Sequence, residues 1–160
     1  MVESTINYYC YPRTATPPKF ADELIRCFRN REDQIATVDQ ENGLKSDNVL
    51  ETVRPDLIEI GFDVEAGKKK QDKIHRPVLF GENGEAELRY EVDAYHKKWK
   101  CGLEIEAGRA WKGNAIYRNL IQASMMVQVE TLAMAVPNLY TYSGGENPAF
   151  DKTKNVVDTL

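Results

Sequence analysis

Tyr90-Glu91-Val92-Asp93-Ala94-Tyr95-His96, followed after a basic turn by Cys101-Gly102-Leu103-Glu104-Ile105-Glu106, is the stretch that decides the fold. It predicts two antiparallel strands joined by a tight turn. With Lys98-Trp99 at the centre of a two-residue turn, Asp93 falls directly opposite Glu104, and Glu106 lies two residues on, on the same face as Glu104. Val92, Leu103 and Ile105 then point the other way, into a core. Like charges paired across strands are destabilising, and buried ones shift their pKa or need a counter-ion. A hard divalent cation, held by one or two carboxylates with waters and substrate phosphate, is one remedy. Charges alternating with apolar residues also describe an ordinary half-solvated strand, and a turn centre displaced by half a residue would break the pairing.

The 160 residues suit one domain, residues 1–160, long enough to bury a respectable core. A composition that is 42% hydrophobic and 29% charged is that of a globular chain and excludes wholesale disorder. No apolar run approaches membrane-spanning length, and Met1-Val2-Glu3-Ser4-Thr5 lacks a basic region followed by an apolar stretch, so a soluble, cytoplasmic protein without membrane contact is expected. Cys10, Cys27 and Cys101 are widely spaced and odd in number, which suggests reduced thiols and neither a disulfide framework nor a zinc site. The net charge of −4 argues against a protein that coats nucleic acid nonspecifically, but local grip depends on clustering. Lys68-Lys69-Lys70-Gln71-Asp72-Lys73-Ile74-His75-Arg76 and Lys97-Lys98-Trp99-Lys100 are such clusters, although each also suits a solvated loop.

Outward from the acidic hairpin, the order of elements becomes readable. Pro17-Pro18 suit the start of a helix from about 19 to 36, with Phe20, Leu24, Cys27, Phe28 and Ile35 at helical spacing. Ser46 or Asp47 is a plausible N-cap for a second helix through Val49, Leu50, Val53, Leu57 and Ile58, which Pro55 would kink or divide and Gly61 could end. Residues 62–65 suit a short strand and 77–80 an extended run, and Gly81-Glu82-Asn83-Gly84 signals a turn. Beyond the hairpin, Asn114 could cap a helix to about Val129, with Ile116, Leu120, Ala123 and Val127 on its apolar face. Residues 130–137 read as a buried strand stopped by Pro137. The tail after Gly145 carries little signal. The sum is a mixed α/β (α+β) domain with an antiparallel hairpin and a parallel crossover.

That order, together with Arg89-Tyr90-Glu91-Val92-Asp93 and Leu103-Glu104-Ile105-Glu106-Ala107-Gly108, resembles the PD-(D/E)xK nuclease superfamily over about 46–137. It is most similar to the BglII/BamHI branch. The resemblance implies a restriction-endonuclease-like mixed central sheet flanked by helices, and an Mg²⁺-dependent DNA endonuclease in which Mn²⁺ can substitute. Asp93 and Glu104 fill the first two positions of the pattern. Glu106 stands where most members carry lysine, as the Glu-x-Glu of that branch does. By the same resemblance Asp93, Glu104 and the Ile105 carbonyl hold the metal, and Glu106 orients or deprotonates the attacking water. A further acid from the preceding helix would be Glu51, with Glu59 in reserve. Arg109 and Lys112, just beyond the acidic strand, could bind phosphate, and Lys97, Lys98, Lys69 and Lys70 are the remaining candidates for DNA contact.

Other residues point less far. His75 and His96 are far apart in sequence and suit structural or exposed positions. Trp99 and Trp111 suit packing better than base stacking, and Met125, Met126 and Met134 suit a core or a subunit contact. Cutting both strands with one site per chain favours a homodimer, with the helix from Asn114 as a candidate interface. An inactive DNA-binding or assembly module of the same fold is the alternative. An enzyme acting on a small phosphorylated substrate would need a Gly-rich phosphate cradle, which Gly102 and Gly108 do not form.

Overall fold

The structure, a computed structural model, describes residues 3–37, 43–107 and 114–160. The first helix, expected over 19–36, is two: α1 spans Ala21–Arg29 and α2 spans Glu32–Ile35. At the break, Asn30 donates to Asp56 Oδ1 at 3.1 Å and Arg31 Nε to Asp56 Oδ2 at 2.6 Å, so both side chains converge on one buried carboxylate. That carboxylate belongs to α3, Ser46–Glu59, which runs on through Pro55 without the expected division. The proline ring costs the helix its bond to the carbonyl four residues back, and both Glu51 and Pro55 are exposed, so water can reach the freed Glu51 carbonyl. Ser46 caps nothing with its hydroxyl. It accepts instead the N–H of Ala107 at 2.9 Å, tying the start of α3 to the end of the acidic strand. Gly61 ends the helix at φ +103°, where a Cβ would stand 2.9 Å from His96 Nε2.

Then come β1 (Asp63–Val64), the hairpin β2 (Ile74–Phe80) and β3 (Ala86–Val92) around the expected 81–84 turn, β4 (Ala94–His96), β5 (Cys101–Ile105), α4 (Ala115–Met125) and β6 (Thr131–Ala135). A four-stranded mixed sheet has the order β1-β4-β5-β6, antiparallel except for the parallel β5–β6 pair that α4 connects. Two corrections concern the acidic stretch. It is not one strand from Tyr90 to His96: the chain bends at Asp93, so β3 pairs with β2 and β4 joins the central sheet. Val92 accordingly leaves the Leu103–Ile105 core and packs with Val78, Tyr95 and Met126.

Leu103, Ile105 and Ala94 form the main core with Leu24, Phe28, Val53 and Leu57 of α1 and α3. Ile116 of α4 meets Met134 and Val136 in a smaller cluster. The fourth helical segment ends at Met125, short of Val129, leaving Val127 exposed, and Asn114 precedes it in a left-handed conformation without a side-chain cap. β6 is the sheet's edge and only half-buried. The tail is ordered more than its sequence suggests: β7 (Tyr140–Tyr142) and β8 (Gly145–Asn147) form a hairpin, and α5 spans Ala149–Val157. Among the described residues no helix is long and apolar enough to cross a membrane.

His96 is structural. Its Nδ1 accepts the Trp99 N–H at 3.1 Å and is therefore unprotonated, which leaves Nε2 to donate to the Ile60 carbonyl at 2.9 Å. Its ring stacks on Trp99 at 3.8 Å, and Trp99 stacks in turn on Phe20 at 4.7 Å, so this tryptophan packs between protein rings. His96→Ala should destabilise the fold by about 2–4 kcal/mol through the lost volume and the two stranded backbone groups, read from urea unfolding. A loss below about 0.5 kcal/mol, the range of an ordinary surface change, would contradict this role.

Candidate active site

The register of the acidic hairpin is the expected one. Ala94 pairs with Leu103, Tyr95 with Gly102 and His96 with Cys101, and the turn is four residues, 97–100, centred on Lys98-Trp99. One step further along the same register, Asp93 faces Glu104. On the other side Asp63 pairs with Tyr95 and Val64 with Ala94, so the next residue, Glu65, faces Asp93, and its N–H donates to the Asp93 carbonyl at 2.9 Å. Glu65, Asp93 and Glu104 thus form a row across three neighbouring strands. Glu106 flanks it.

The bend explains how Asp93 sits. Where β3 leaves the sheet, the β4–β5 ladder ends at Ala94–Leu103, and no β4 backbone remains opposite Ile105. The Asp93 carboxylate takes that place, accepting the Ile105 N–H at 2.7 Å. Glu106 is held differently: its Oε1 accepts from Asn119 Nδ2 at 2.8 Å, and Arg118 lies 3.8 Å away, both on α4. Glu65 is clamped by Lys73, whose Nζ donates to its two carboxylate oxygens at 3.0 and 2.9 Å.

Charge is stored in this row at a cost. Burial, with repulsion from Glu65 and Glu106, pushes Asp93 up to about 6 against the pull of the Ile105 N–H and Lys73. Burial, then repulsion from Asp93 and Glu106, pushes Glu104 up to about 9, with Arg118 opposing. Crowded carboxylates of this kind can exchange protons with a substrate or bind a hard cation, and their oxygens suit Mg²⁺, which needs only one or two of them plus water. As the side chains lie, no three His, Cys, Asp or Glu among the described residues already enclose a metal.

The remaining candidates disperse. Glu51 and Glu59 are exposed on α3, and neither is among the principal charges that shift Asp93 or Glu104. Lys97 and Lys98 are exposed at the hairpin tip, separated from the row by three residue pairs, about 13 Å of strand or more. Lys69 and Lys70 are exposed on the loop that leads from Glu65 to Lys73. Arg109 and Lys112 lie outside the described residues, as does Trp111. Sequence reasoning missed Glu65, Lys73 and Asn119. The available signal was the register itself, which places a residue of 62–65 opposite Asp93 once that segment is taken as the neighbouring strand.

A mainly apolar cavity of about 900 Å³ lies elsewhere, lined by the N-terminal segment, α1, β6 and α5 and by Leu103 and Ile105 from the sheet's other face. None of the four acids lines it. No family model, curated protein or solved structure matches this chain.

Proposed function

We propose that this protein is a Mg²⁺-dependent DNA endonuclease of the type II restriction kind, cytoplasmic and acting as a homodimer. The observation that carries the proposal is Asp93 facing Glu104 in register at the end of the central β4–β5 ladder, both carboxylates kept costly to ionise by burial and by neighbouring acids. The order helix, strands, helix, strand on which the PD-(D/E)xK resemblance rests recurs as α3, then β1 to β5 with the β2–β3 hairpin set apart from the central sheet, then α4 and a parallel β6, and it supports the same function.

Asp93, Glu104 and the Ile105 carbonyl would hold the ion; the carbonyl faces the gap that the bend at Asp93 leaves beside β5. When bound, the cation polarises the scissile phosphate and lowers the pKa of a coordinated water. Glu106 uses one oxygen to accept from Asn119, and its other is available to orient the attacking water and take its proton. Arg118, half-exposed beside Glu106, stands where a phosphate can meet it. Glu106 already paired with Asn119 and Arg118 is also what favours the alternative, an inactive DNA-binding or assembly module of the same fold.

Incubation of supercoiled plasmid with Mg²⁺ or Mn²⁺ tests the proposal. Nicked and linear products that vanish in EDTA support the nuclease. A folded protein that binds the plasmid but leaves it supercoiled supports the inactive module. The dimer has its own test. Tyr117, Ile121 and Met125 are exposed at four-residue spacing along α4, one apolar stripe on the helix that also holds Glu106. Ile121→Asp should convert a sedimenting dimer into monomer and leave single-strand nicking in place. A wild type that sediments as monomer contradicts the dimer.

A further inference from the structure

We propose that Lys73, presented by Glu65, is the residue of this site that grips the anionic phosphodiester; the proposal rests on the nuclease function given above. The row and the flanking Glu106 bring four carboxylates together, Glu65, Asp93, Glu104 and Glu106, and a negatively charged substrate must approach them. Among the described residues two cations pair with these carboxylates: Arg118, 58% exposed and 3.8 Å from Glu106 at one end, and Lys73, 19% exposed, on Glu65 at the other. Lys73 is not a solvated loop lysine. Its Nζ is fixed by two oxygens of Glu65, and Asp93 and Glu91 reinforce its charge.

Glu65 is itself immobilised. Its N–H donates to Asp93, and its carbonyl accepts from Arg54 Nη2 at 2.9 Å, so the backbone that carries the clamp is tied to both the sheet and α3. Lys73 also closes a basic path. Lys68, Lys69 and Lys70 are exposed on the loop whose ends are joined by the Ala66 N–H to the Asp72 carbonyl, and the next residue turns inward to the row. A backbone phosphate attracted by the exposed lysines is led to one half-buried ammonium whose charge Asp93 reinforces. In this arrangement Lys73 touches substrate and Glu65 is a positioning residue acting through it.

The test uses the full chain and a fluorescein-labelled DNA duplex. Anisotropy in EDTA over a series of salt concentrations gives the binding slope, and plasmid cleavage with Mg²⁺ gives rates at varied DNA concentration. Lys73→Met should weaken duplex binding, reduce the salt slope by about one phosphate contact and slow cleavage by at least about tenfold, a modest loss for a charge-assisted contact. Lys73→Arg should restore most of the slope. Because Lys73→Met alone strands Glu65 without a partner, Glu65→Gln/Lys73→Met is measured beside it; a folded double variant with the same losses supports the proposal. If the wild type cuts DNA and either Met variant matches its slope and rate, Lys73 is a structural ion pair and the proposal falls while the nuclease stands. If the wild type neither binds nor cuts, both fall.

Discussion

Asp93→Ala and Glu104→Ala should each abolish Mg²⁺-dependent cleavage, by on the order of 10³-fold or more, equivalent to about 4 kcal/mol of transition-state stabilisation. Each variant removes one of two opposed carboxylates proposed to share the cation, and neither the core nor the ladder depends on Glu104. Its side chain makes no hydrogen bond among those of the described residues and suffers repulsion from Asp93 and Glu106. Its removal should therefore leave circular dichroism unchanged and raise the metal-free melting temperature. Asp93 differs in one respect, because its carboxylate accepts the Ile105 N–H. Asp93→Asn keeps an acceptor there and is the matching control: inactive, with the fold intact. If both alanine variants unfold, the acids are structural and the proposed chemistry loses its basis.

The second large effect is on stability against pH. Glu104 moves from 4.5 to about 9 on folding and Asp93 from 3.8 to about 6. Both folded values lie above the unfolded ones, so between them the folded state binds more protons. The stability these protons confer is full below about pH 4 and is lost as pH rises through 6 and then 9. The groups facing the pair work in both directions: Glu65 and Glu106 deepen the loss, while Lys73 and Arg118 moderate it. Metal-free protein should thus melt at progressively lower temperature from pH 5 to pH 9. Mg²⁺ binds the deprotonated acids and should raise melting most at the alkaline end. Thermal melts with and without Mg²⁺ check this. Glu104→Gln should flatten the fall and remove most of the Mg²⁺ effect; identical profiles for wild type and variant would contradict it.

The acidic hairpin was legible because strand alternation and a turn centre fix which residues oppose each other, and Lys98-Trp99 is that centre. The main helix before the sheet and the crossover to β6 were legible from apolar periodicity. The bend at Asp93 was not, since Val92 and Ala94 both look like strand core residues and nothing local shows that they serve two different clusters. Glu65 stayed hidden because β1 is two residues long and carries no alternation to phase it. Lys73 looked like one more residue of a basic loop; only its partner distinguishes it. The break between α1 and α2 coincides with contacts to Asp56, some 25 residues away in the chain, which no local window contains. α5 buries little beyond Ala149 and Thr153, so its sequence has no strong apolar stripe to read.

The central claim is that the row is a divalent-cation site, and titration of Mn²⁺ into the metal-free protein at pH 8, followed by electron paramagnetic resonance, tests it most directly. Wild type should bind one or two ions per chain, and Glu104→Gln, folded to the same extent, should lose that binding. Equal Mn²⁺ binding by the two proteins, or none by either, would contradict the claim.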